Sequence, residues 1–171
     1  VNYYPDGTDL KPRGKQIWDL LVDGDSLFMA TEEGLEVVTL SNKKFSIFPV
    51  DKTGKGTSSK LLWKLFKDSR KRILIGTSNG FNVFDKQSDQ FYYFEPEEGN
   101  QQSLSEKWII ALHEDSKGRI WIGTNGGGLN LWKEPLNEFV CFSTDDGLPG
   151  NVINSILEDN SGALWIGTRG G

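Results

Sequence analysis

The chain has 171 residues, and its composition (36% apolar, 12% aromatic and 25% charged) is that of a folded globular protein and not of a disordered chain. The formal net charge is −5 and the longest basic cluster is Arg70–Arg72, which argues against a nucleic-acid partner and against an anionic membrane surface. The longest apolar run, WIIAL at residues 108–112, is far too short to cross a membrane.

The first residues carry no targeting signal. The chain opens with VNYYP, which has neither a basic n-region nor an apolar h-region. It also lacks an initiator methionine, which indicates a processed or excised chain. Cys141 is the only cysteine, so cysteine usage leaves the redox compartment open.

Four related segments follow one another along the chain. They begin at Ile17, Leu62, Ile109 and Ile153, about 45 residues apart. Each opens with an apolar run that ends at an Asp, and a second short run then ends in a small residue and Thr. The Asp positions are 23, 68, 115 and 159, and the Thr positions are 31, 77, 124 and 168. We interpret these segments as one repeated unit.

Each unit predicts a meander of short strands. The second strand reads LFMAT, ILIGT, IWIGT or LWIGT, the third reads LEVV, FNVF or LNLW, and the fourth reads FSIF, FYYF or FVCF. The turns DSKG and DNSG suit a type I turn closed by a left-handed Gly. Lys71 replaces that Gly in the second unit, which predicts a strained or different turn there.

Repeated four-stranded units indicate an all-β fold, namely a fragment of a β-propeller built from four-stranded antiparallel blades. A meander that is apolar on both faces must stack between neighbours, and turn signals every five to ten residues leave no room for the paired helices of a solenoid. We predict whole blades at residues 17–48, 62–94 and 109–142 and a half blade at residues 153–171. Residues 1–4 are predicted to form the outer strand of a preceding blade.

Two stretches resemble a known repeat. ILEDNSGALWIGTRGG and LHEDSKGRIWIGTNGGGLNLW resemble the two-component-regulator propeller repeat, which occurs in the sensor regions of hybrid two-component histidine kinases of Bacteroides-like bacteria. The resemblance is good in the second unit and weak in the first, where FMAT stands for WIGT. It implies a periplasmic location, a histidine kinase parent and signal transduction in response to glycan fragments.

We therefore expect a non-enzymatic, ligand-sensing propeller segment that responds to an oligosaccharide. The alternatives are a propeller that binds a protein partner and part of a propeller glycoside hydrolase or lyase whose acids lie in other blades. The expected partners are an oligosaccharide, the remaining blades of the parent protein and a second copy bound through exposed blade faces. We expect no nucleic-acid partner and no membrane contact by this segment.

The candidate ligand-binding residues fall into two groups. Aromatic faces stack on sugar rings, and Trp18, Trp63 and Trp108 lie at or just before the start of a first strand. Polar side chains follow the second strands, in turns that are expected to share a propeller face with the connections at 95–107 and 143–151. These polar residues are Asn79, Asn125 and Arg169. Ordinary packing of the Trp rings and ordinary turn chemistry of Asn are the competing interpretations.

Other motifs have plainer explanations. GTNGGG at 123–128 lies between two predicted strands, whereas a phosphate loop must lead into a helix. His113 and Cys141 align with apolar or aromatic residues of other units, and Trp121 and Trp165 align with residues predicted to pack between blades. The Asp turns are too short for calcium, and the adjacent Asp145 and Asp146 are a weak hydrolytic pair. No catalytic residue, metal or cofactor is predicted.

Overall fold

The computed structural model describes residues 13–170, which form four antiparallel sheets joined in chain order. The first sheet contains β1 (Ile17–Asp23), β2 (Ser26–Thr31), β3 (Leu35–Thr39) and β4 (Phe45–Phe48). The second contains β5 (Leu62–Lys67), β6 (Ile73–Thr77), β7 (Gly80–Asp85) and β8 (Gln90–Phe94). The third contains β9 (Ile109–Glu114), β10 (Ile120–Thr124), β11 (Leu129–Lys133) and β12 (Glu138–Phe142), and the fourth contains β13 (Ile153–Glu158) and β14 (Leu164–Thr168).

Each strand pairs with the next one in sequence, so every sheet is a meander. We number the sheets as blades one to four. The prediction of a β-propeller fragment is confirmed, with three four-stranded blades and a two-stranded fourth blade. The predicted outer strand at residues 1–4 lies outside the described residues. Among the described residues, no helix has the length and apolarity that a membrane crossing requires.

The hydrophobic cores lie between the blades and not within them. Side chains alternate along β6, so that Ile73 and Ile75 pack in the core shared with blade one, while Leu74 packs in the core shared with blade three. Every residue of β6 and of β10 is buried. Both faces of a blade therefore need a neighbour, as the apolar strand patterns predict.

The first strands of successive blades are adjacent and form the inner rim of the arc. The second strand of one blade approaches the first strand of the next so closely that it leaves no room for a side chain at Gly123. A Cβ atom there would lie 2.8 Å from the Cγ2 atom of Ile153 and 2.8 Å from the Cβ atom of Ala111. The Gly of the WIGT segment is thus required by the contact between blades three and four.

Buried amides fix the connections between blades. Asn82 of β7 is fully buried, and its Oδ1 accepts from the N–H of Ser58 at 2.7 Å while its Nδ2 donates to the Ser58 hydroxyl at 2.7 Å. Asn130 holds the same position in β11 and bonds Ser105 at 3.0 and 2.7 Å in the same way. Each third strand therefore holds the segment that enters its own blade.

Glu36 takes the equivalent place in β3. Its carboxylate is fully buried and accepts from the N–H groups of Gly14 at 2.8 Å and Arg13 at 3.1 Å. Sequence reasoning missed this set of anchors, although a signal existed. The strands LEVV, FNVF and LNLW all carry a polar residue in second place, where an apolar one would be expected.

In blades three and four, a carboxylate at the end of the first strand links the blade to the turn of the preceding one. Glu114 of β9 accepts from the N–H and the hydroxyl of Ser69, each at 2.6 Å. Glu158 of β13 accepts from the same two groups of Ser116, at 2.6 and 2.7 Å. These bonds are directional, so they fix how far one blade is shifted along the next.

The Asp turns of blades two, three and four share one geometry. In each, the fourth residue donates its backbone N–H to the carbonyl oxygen of the turn's Asp, at 2.9, 2.8 and 2.9 Å. This residue has a φ of 65° at Lys71, 72° at Gly118 and 82° at Gly162. The turn at Lys71 is therefore strained and not different in type, because Lys carries a Cβ atom in the left-handed region.

Lys71→Gly should stabilise the fold. Removing the left-handed penalty is worth about 1–2 kcal/mol, whereas the greater freedom of Gly in the unfolded chain costs about 0.5–1 kcal/mol. We expect the free energy of unfolding, measured by urea denaturation, to rise by about 0.5–1 kcal/mol. Lys117→Gly is the control, since Lys117 does not have a positive φ and should gain nothing. A loss of stability in Lys71→Gly would contradict the assignment of strain.

Asn82→Ala should be among the more damaging polar substitutions. It leaves the buried N–H of Ser58 without its acceptor and opens a small cavity, so we expect a loss of about 2–4 kcal/mol in the free energy of unfolding. The matched control is Asn42→Ala, because Asn42 also accepts a backbone N–H, from Lys44 at 2.9 Å, but is exposed to water. Equal losses in the two variants, by urea denaturation, would refute the anchoring role.

Candidate functional site

Three tryptophans pack against one another in tilted pairs along the inner rim. The ring centroids of Trp18 and Trp63 are 4.5 Å apart with an interplanar angle of 44°. Those of Trp63 and Trp108 are 5.4 Å apart with an angle of 42°. The three rings therefore form a continuous aromatic row across blades one, two and three, which we call the tryptophan ladder. All three residues were predicted from the sequence as candidates.

Irregular strand pairing positions the ladder. The pairing of β1 with β2 shifts register between Ile17 and Asp19, and the pairing of β5 with β6 shifts between Leu62 and Lys64. Trp18 and Trp63 occupy these two bulges, and a bulge redirects a side chain out of the regular alternation. Trp108 directly precedes β9, and its carbonyl oxygen accepts from the N–H of Asn125 at 2.9 Å.

The rings of the ladder differ in their exposure to solvent. Trp108 is 38% exposed, whereas Trp18 and Trp63 are half-buried. The indole Nε1 of Trp63 is buried and has no hydrogen-bond partner among residues 13–170. Flat apolar rings suit a ligand that presents C–H faces, whereas the buried N–H of Trp63 lies out of reach of such a ligand.

The predicted polar residues lie at the same end of the blades as the ladder. The start of β5 pairs with the end of β6 through Leu62 and Thr77, so the turns after the second strands adjoin the starts of the first strands. The backbone N–H of Arg169 donates to the carbonyl oxygen of Val152 at 2.9 Å, in the same way as that of Asn125 to Trp108. Asn79 lies one residue further along its turn.

The side chain of Asn79 is already engaged. Its Nδ2 donates to Oε1 of Glu95 at 2.8 Å, and Glu95 also forms an ion pair with Lys52. Sequence reasoning missed a further charged pair at this end, in which the ammonium of Lys60 lies 3.6 Å from the carboxylate of Glu33. Glu33 was identifiable in principle, because it holds the turn position that Asn79 holds in the second unit.

The Asp turns lie at the opposite ends of the blades, and their carboxylates accept hydrogen bonds from groups of the protein itself. Oδ1 of Asp115 accepts from the backbone N–H groups of Lys117 and Arg119 at 3.0 and 2.9 Å. Its Oδ2 accepts from Nε of Arg119 at 2.6 Å and from the indole of Trp121 at 2.8 Å. Asp159 accepts from the indole of Trp165 at 2.7 Å. These carboxylates close turns and orient Trp rings.

The hydrogen bonds shift the titration of these carboxyls. Burial alone raises the pKa of Asp115, but the bonds from Trp121 and Arg119 outweigh it and hold the pKa below its usual value. At Asp159 the hydrogen bonds from Ser161 and Trp165 lower the pKa strongly. Both groups are therefore charged at neutral pH. Within residues 13–170, no group of three or more His, Cys, Asp or Glu side chains is arranged to hold a metal ion.

The other singled-out residues have local contacts. Ser143 caps a short 3-10 helix of residues 144–146, in which Asp146 accepts from the N–H of Ser143 at 2.9 Å and the N–H of Asp145 donates to the Ser143 hydroxyl at 3.2 Å. His113 packs edge-on against Phe66 at 6.3 Å between ring centroids. Cys141 bonds the carbonyl oxygen of Gly127 at 3.1 Å through its Sγ. The GTNGGG segment ends β10 and forms the turn that leads into β11, so it is not followed by the helix that a phosphate loop requires.

Trp121 and Trp165, at equivalent positions, have different surroundings. Trp121 is 7% exposed and belongs to the core between blades three and four. Trp165 is 65% exposed, because no described residue covers that face of blade four. The predicted packing role is thus observed for Trp121, and Trp165 presents the same surface without a neighbour.

Two segments match the family model described as two component regulator propeller, namely residues 103–126 and 147–170. Both run from the connection before a blade, through its first strand and Asp turn, to the WIGT segment and the residues that follow it. The chain thus contains two-component-regulator propeller repeats, and the resemblance noted from the sequence is confirmed. No curated protein matches the sequence.

Solved structures share the fold. The extracellular domain of BT3049 from B. thetaiotaomicron, described as a hybrid two component system, is 22% identical with a TM-score of 0.74, and the match covers 99% of this chain and 21% of that one. PorZ, an essential surface component of the type-IX secretion system of Porphyromonas gingivalis, is 17% identical with a TM-score of 0.73, covering 96% and 26%. The computationally designed Ika4 protein is 17% identical with a TM-score of 0.57, covering 95% and 98%.

The Asp turns predict loss of stability in acid. A carboxyl whose pKa is lowered by folding contributes stability above its unfolded pKa, about 3.9, and that contribution is lost as the pH falls through the folded value. We expect the free energy of unfolding to decrease below about pH 4. Asp115→Asn should be about 2 kcal/mol less stable at pH 7 and should show a flatter decrease below pH 4.

The matched control for this pH series is Asp145→Asn. It removes the same charge from an exposed loop, so urea denaturation should show a pH profile close to that of the unchanged chain. Parallel profiles for Asp115→Asn and the unchanged chain would show that Asp115 does not couple folding to pH.

Proposed function

We propose that this segment of two-component-regulator propeller repeats is the ligand-sensing part of an extracytoplasmic sensor, and that its ligand is an oligosaccharide. The tryptophan ladder is the observation that carries the proposal. It places three indole rings in one row over blades one to three, with centroid spacings of 4.5 and 5.4 Å. Successive rings of an extended glycan can each meet an aromatic surface in such a row.

The polar groups near the ladder can orient a bound oligosaccharide through hydrogen bonds. Asn125 and Arg169 hold their backbones in place through bonds to Trp108 and Val152, which leaves their side chains to address a ligand. A sugar hydroxyl both donates and accepts, so amide and guanidinium groups at one end of the blades complement it.

The ladder crosses two blade boundaries, which suggests how binding is transmitted. A ligand that contacts Trp18, Trp63 and Trp108 together binds best when the three blades hold one relative arrangement. It therefore shifts the population toward that arrangement, and the shift can pass to whatever follows the propeller. This gives a sensing role without any chemical step in the segment.

The proposal also covers the longer protein of which this segment is a part. The matching repeat and the likeness to the extracellular domain of BT3049 support a hybrid two-component histidine kinase with this segment in the periplasm. The two ends of the arc expose apolar side chains, among them Leu20 and Val22 at one end and Leu157 and Trp165 at the other. Such faces suit further blades of a longer propeller.

Trp108→Ala should weaken oligosaccharide binding with little effect on folding. A set of oligosaccharides from plant and host polysaccharides is first screened on an array, and the best ligand is then titrated by calorimetry. We expect Trp108→Ala to raise the Kd at least about tenfold, which corresponds to about 1.4 kcal/mol. The residue lies at the exposed end of the ladder, so its loss removes ligand contact more than core packing.

Trp165→Ala is the matched control, because Trp165 is an exposed Trp outside the ladder. Its Kd should equal that of the unchanged chain. Equal losses of affinity in the two variants, or no oligosaccharide binding by the unchanged chain at all, would overturn the proposal.

A further inference from the structure

A cavity of about 700 Å³ lies between blades two and three, on the side of their outer strands. Three elements border it, namely the outer strand β8, the corner between β11 and β12, and the connection that runs from blade one to blade two. All three belong to four-stranded blades or join two of them. The volume is within the range of about 300–1,000 Å³ that is usual for small-molecule sites. We call this cavity the outer groove.

The wall formed by blade two carries an exposed aromatic ring. Tyr92 of β8 lies opposite Val83 of β7, and Val83 belongs to the core shared with blade three. The side chain of Tyr92 is therefore on the same face of the sheet as that core, and yet it is 51% exposed. Phe94, on the same face, is covered by Trp132 at 5.1 Å between ring centroids. The ring of Tyr92 is thus an uncovered surface against which the apolar face of a ligand can pack.

The opposite wall is the corner of blade three. Its 3-10 helix, Glu134–Leu136, ends at Asn137, which has a φ of 54° and donates its N–H to the carbonyl oxygen of Glu134 at 3.0 Å. Asn adopts this left-handed conformation more easily than most residues, so turn chemistry accounts for its backbone. The side-chain amide of Asn137 is exposed and forms no hydrogen bond within residues 13–170. It is therefore available to a ligand.

The connection from blade one borders the third side. The carbonyl oxygen of Gly54 accepts from the N–H of Phe91 at 3.0 Å, and this bond ties the connection to the edge of β8. A Cβ atom at Gly54 would lie 3.0 Å from Oε1 of Gln90. Nε2 of Gln90 donates to the carbonyl oxygen of Asp89 at 3.0 Å, whereas its Oε1 has no donor within the part of the chain that the structure describes. Gln90 therefore adds an unused acceptor.

The cations at the groove already have partners in the protein. Lys52 forms an ion pair with Glu95. Arg72 donates from Nε to Oδ2 of Asp68 at 2.6 Å and from Nη2 to Oε2 of Glu134 at 3.2 Å. A phosphate or carboxylate ligand would have to compete with these carboxylates for the same donors. The groove is therefore poorly suited to an anion.

The carboxylate of Asp85 is engaged as well. Its Oδ1 accepts from the N–H of Gln87 at 2.9 Å, and its Oδ2 accepts from the hydroxyl of Ser88 at 2.8 Å. The hydrogen bond from Gln87, followed by that from Ser88, holds the pKa of Asp85 below its usual value. Asp85 is therefore charged at neutral pH, and with Glu134 it places two negative charges at the groove. These charges further disfavour an anionic ligand.

The polar groups that remain unbonded are neutral. They are the amide of Asn137, the amide oxygen of Gln90 and the hydroxyl of Tyr92. Such groups complement the hydroxyls of a sugar, and the ring of Tyr92 suits its C–H face. We propose that the outer groove is a second binding site, separate from the tryptophan ladder, and that its ligand is a neutral saccharide of one or two sugar units.

The position of the groove makes it independent of the ladder. The ladder lies at the starts of first strands on the inner rim, whereas the groove lies against the outer strand of blade two. A saccharide in the groove contacts blade two, blade three and the connection from blade one together. Because it binds only the folded arrangement of these three elements, it stabilises that arrangement.

The test titrates the isotope-labelled whole chain with cellobiose, lactose and maltose, each up to about 50 mM, and follows its NMR signals. At least one of these sugars should shift the side-chain amide signals of Asn137 and Gln90 saturably, with a Kd on the order of 1 mM. No saturable shift of these signals with any of the three sugars would overturn the proposal. Shifts confined to the indole signals of the ladder would overturn it as well.

Variants of the groove locate the site. Asn137→Gly removes the amide but keeps a residue that accepts the left-handed conformation, so it should fold and raise the Kd at least about threefold. Lys43→Gly is the matched control, because Lys43 has a φ of 58° in the corresponding corner of blade one. Its Kd should equal that of the unchanged chain. Tyr92→Ala should raise the Kd at least about tenfold, and a thermal melt checks that each variant folds.

Equal affinity of Asn137→Gly, Tyr92→Ala and the unchanged chain would refute the site. The uronic-acid form of the best sugar, in which a carboxylate replaces the primary alcohol, tests the charge requirement. It should bind at least about tenfold more weakly, and equal or tighter binding would refute a neutral ligand. The amide signal of Asn137 reports on the groove and the indole signal of Trp108 reports on the ladder, so either proposal can fail alone.

Discussion

The structure depends on the fact that each blade is apolar on both faces. Neighbouring residues of β6 point into different cores, Ile73 and Ile75 toward blade one and Leu74 toward blade three, so a blade has no interior of its own. Burial of apolar surface is the main favourable term in folding, and here it is available only at contacts between blades. Each blade must therefore pack against its neighbours. This close packing explains why residue 123 is a glycine, and the lack of a neighbour among the described residues explains why Trp165 of blade four is exposed.

Hydrophobic burial has little direction, so polar groups must define how the blades align. The buried side chains of Asn82 and Asn130 each form hydrogen bonds to the connection that enters their own blade. The carboxylates of Glu114 and Glu158 each accept hydrogen bonds from a turn of the preceding blade. A buried amide or carboxylate is costly unless its partners are in place, so these groups disfavour shifted arrangements. The blades are thus aligned by polar residues that the apolar pattern alone would not identify, and blade three has both kinds of contact.

The candidate site is a consequence of the same stacking. Because the first strands lie side by side, bulges at equivalent places in β1 and β5 bring Trp18 and Trp63 together, and Trp108 extends the row from the third blade.

The sequence by itself determined the all-β class, the repeat length, the turn chemistry and the resemblance to two-component-regulator propeller repeats, because all of these are local patterns that recur. It also indicated Trp18, Trp63 and Trp108 as candidate ligand-binding residues, but it did not show that their rings are in contact. Only the tertiary structure decided that these rings pack against one another and that the side chain of Asn79 is hydrogen-bonded to Glu95. It also decided that the polar residue of each third strand is a buried anchor. Such facts depend on distances between blades, and those distances follow from packing that no single repeat contains.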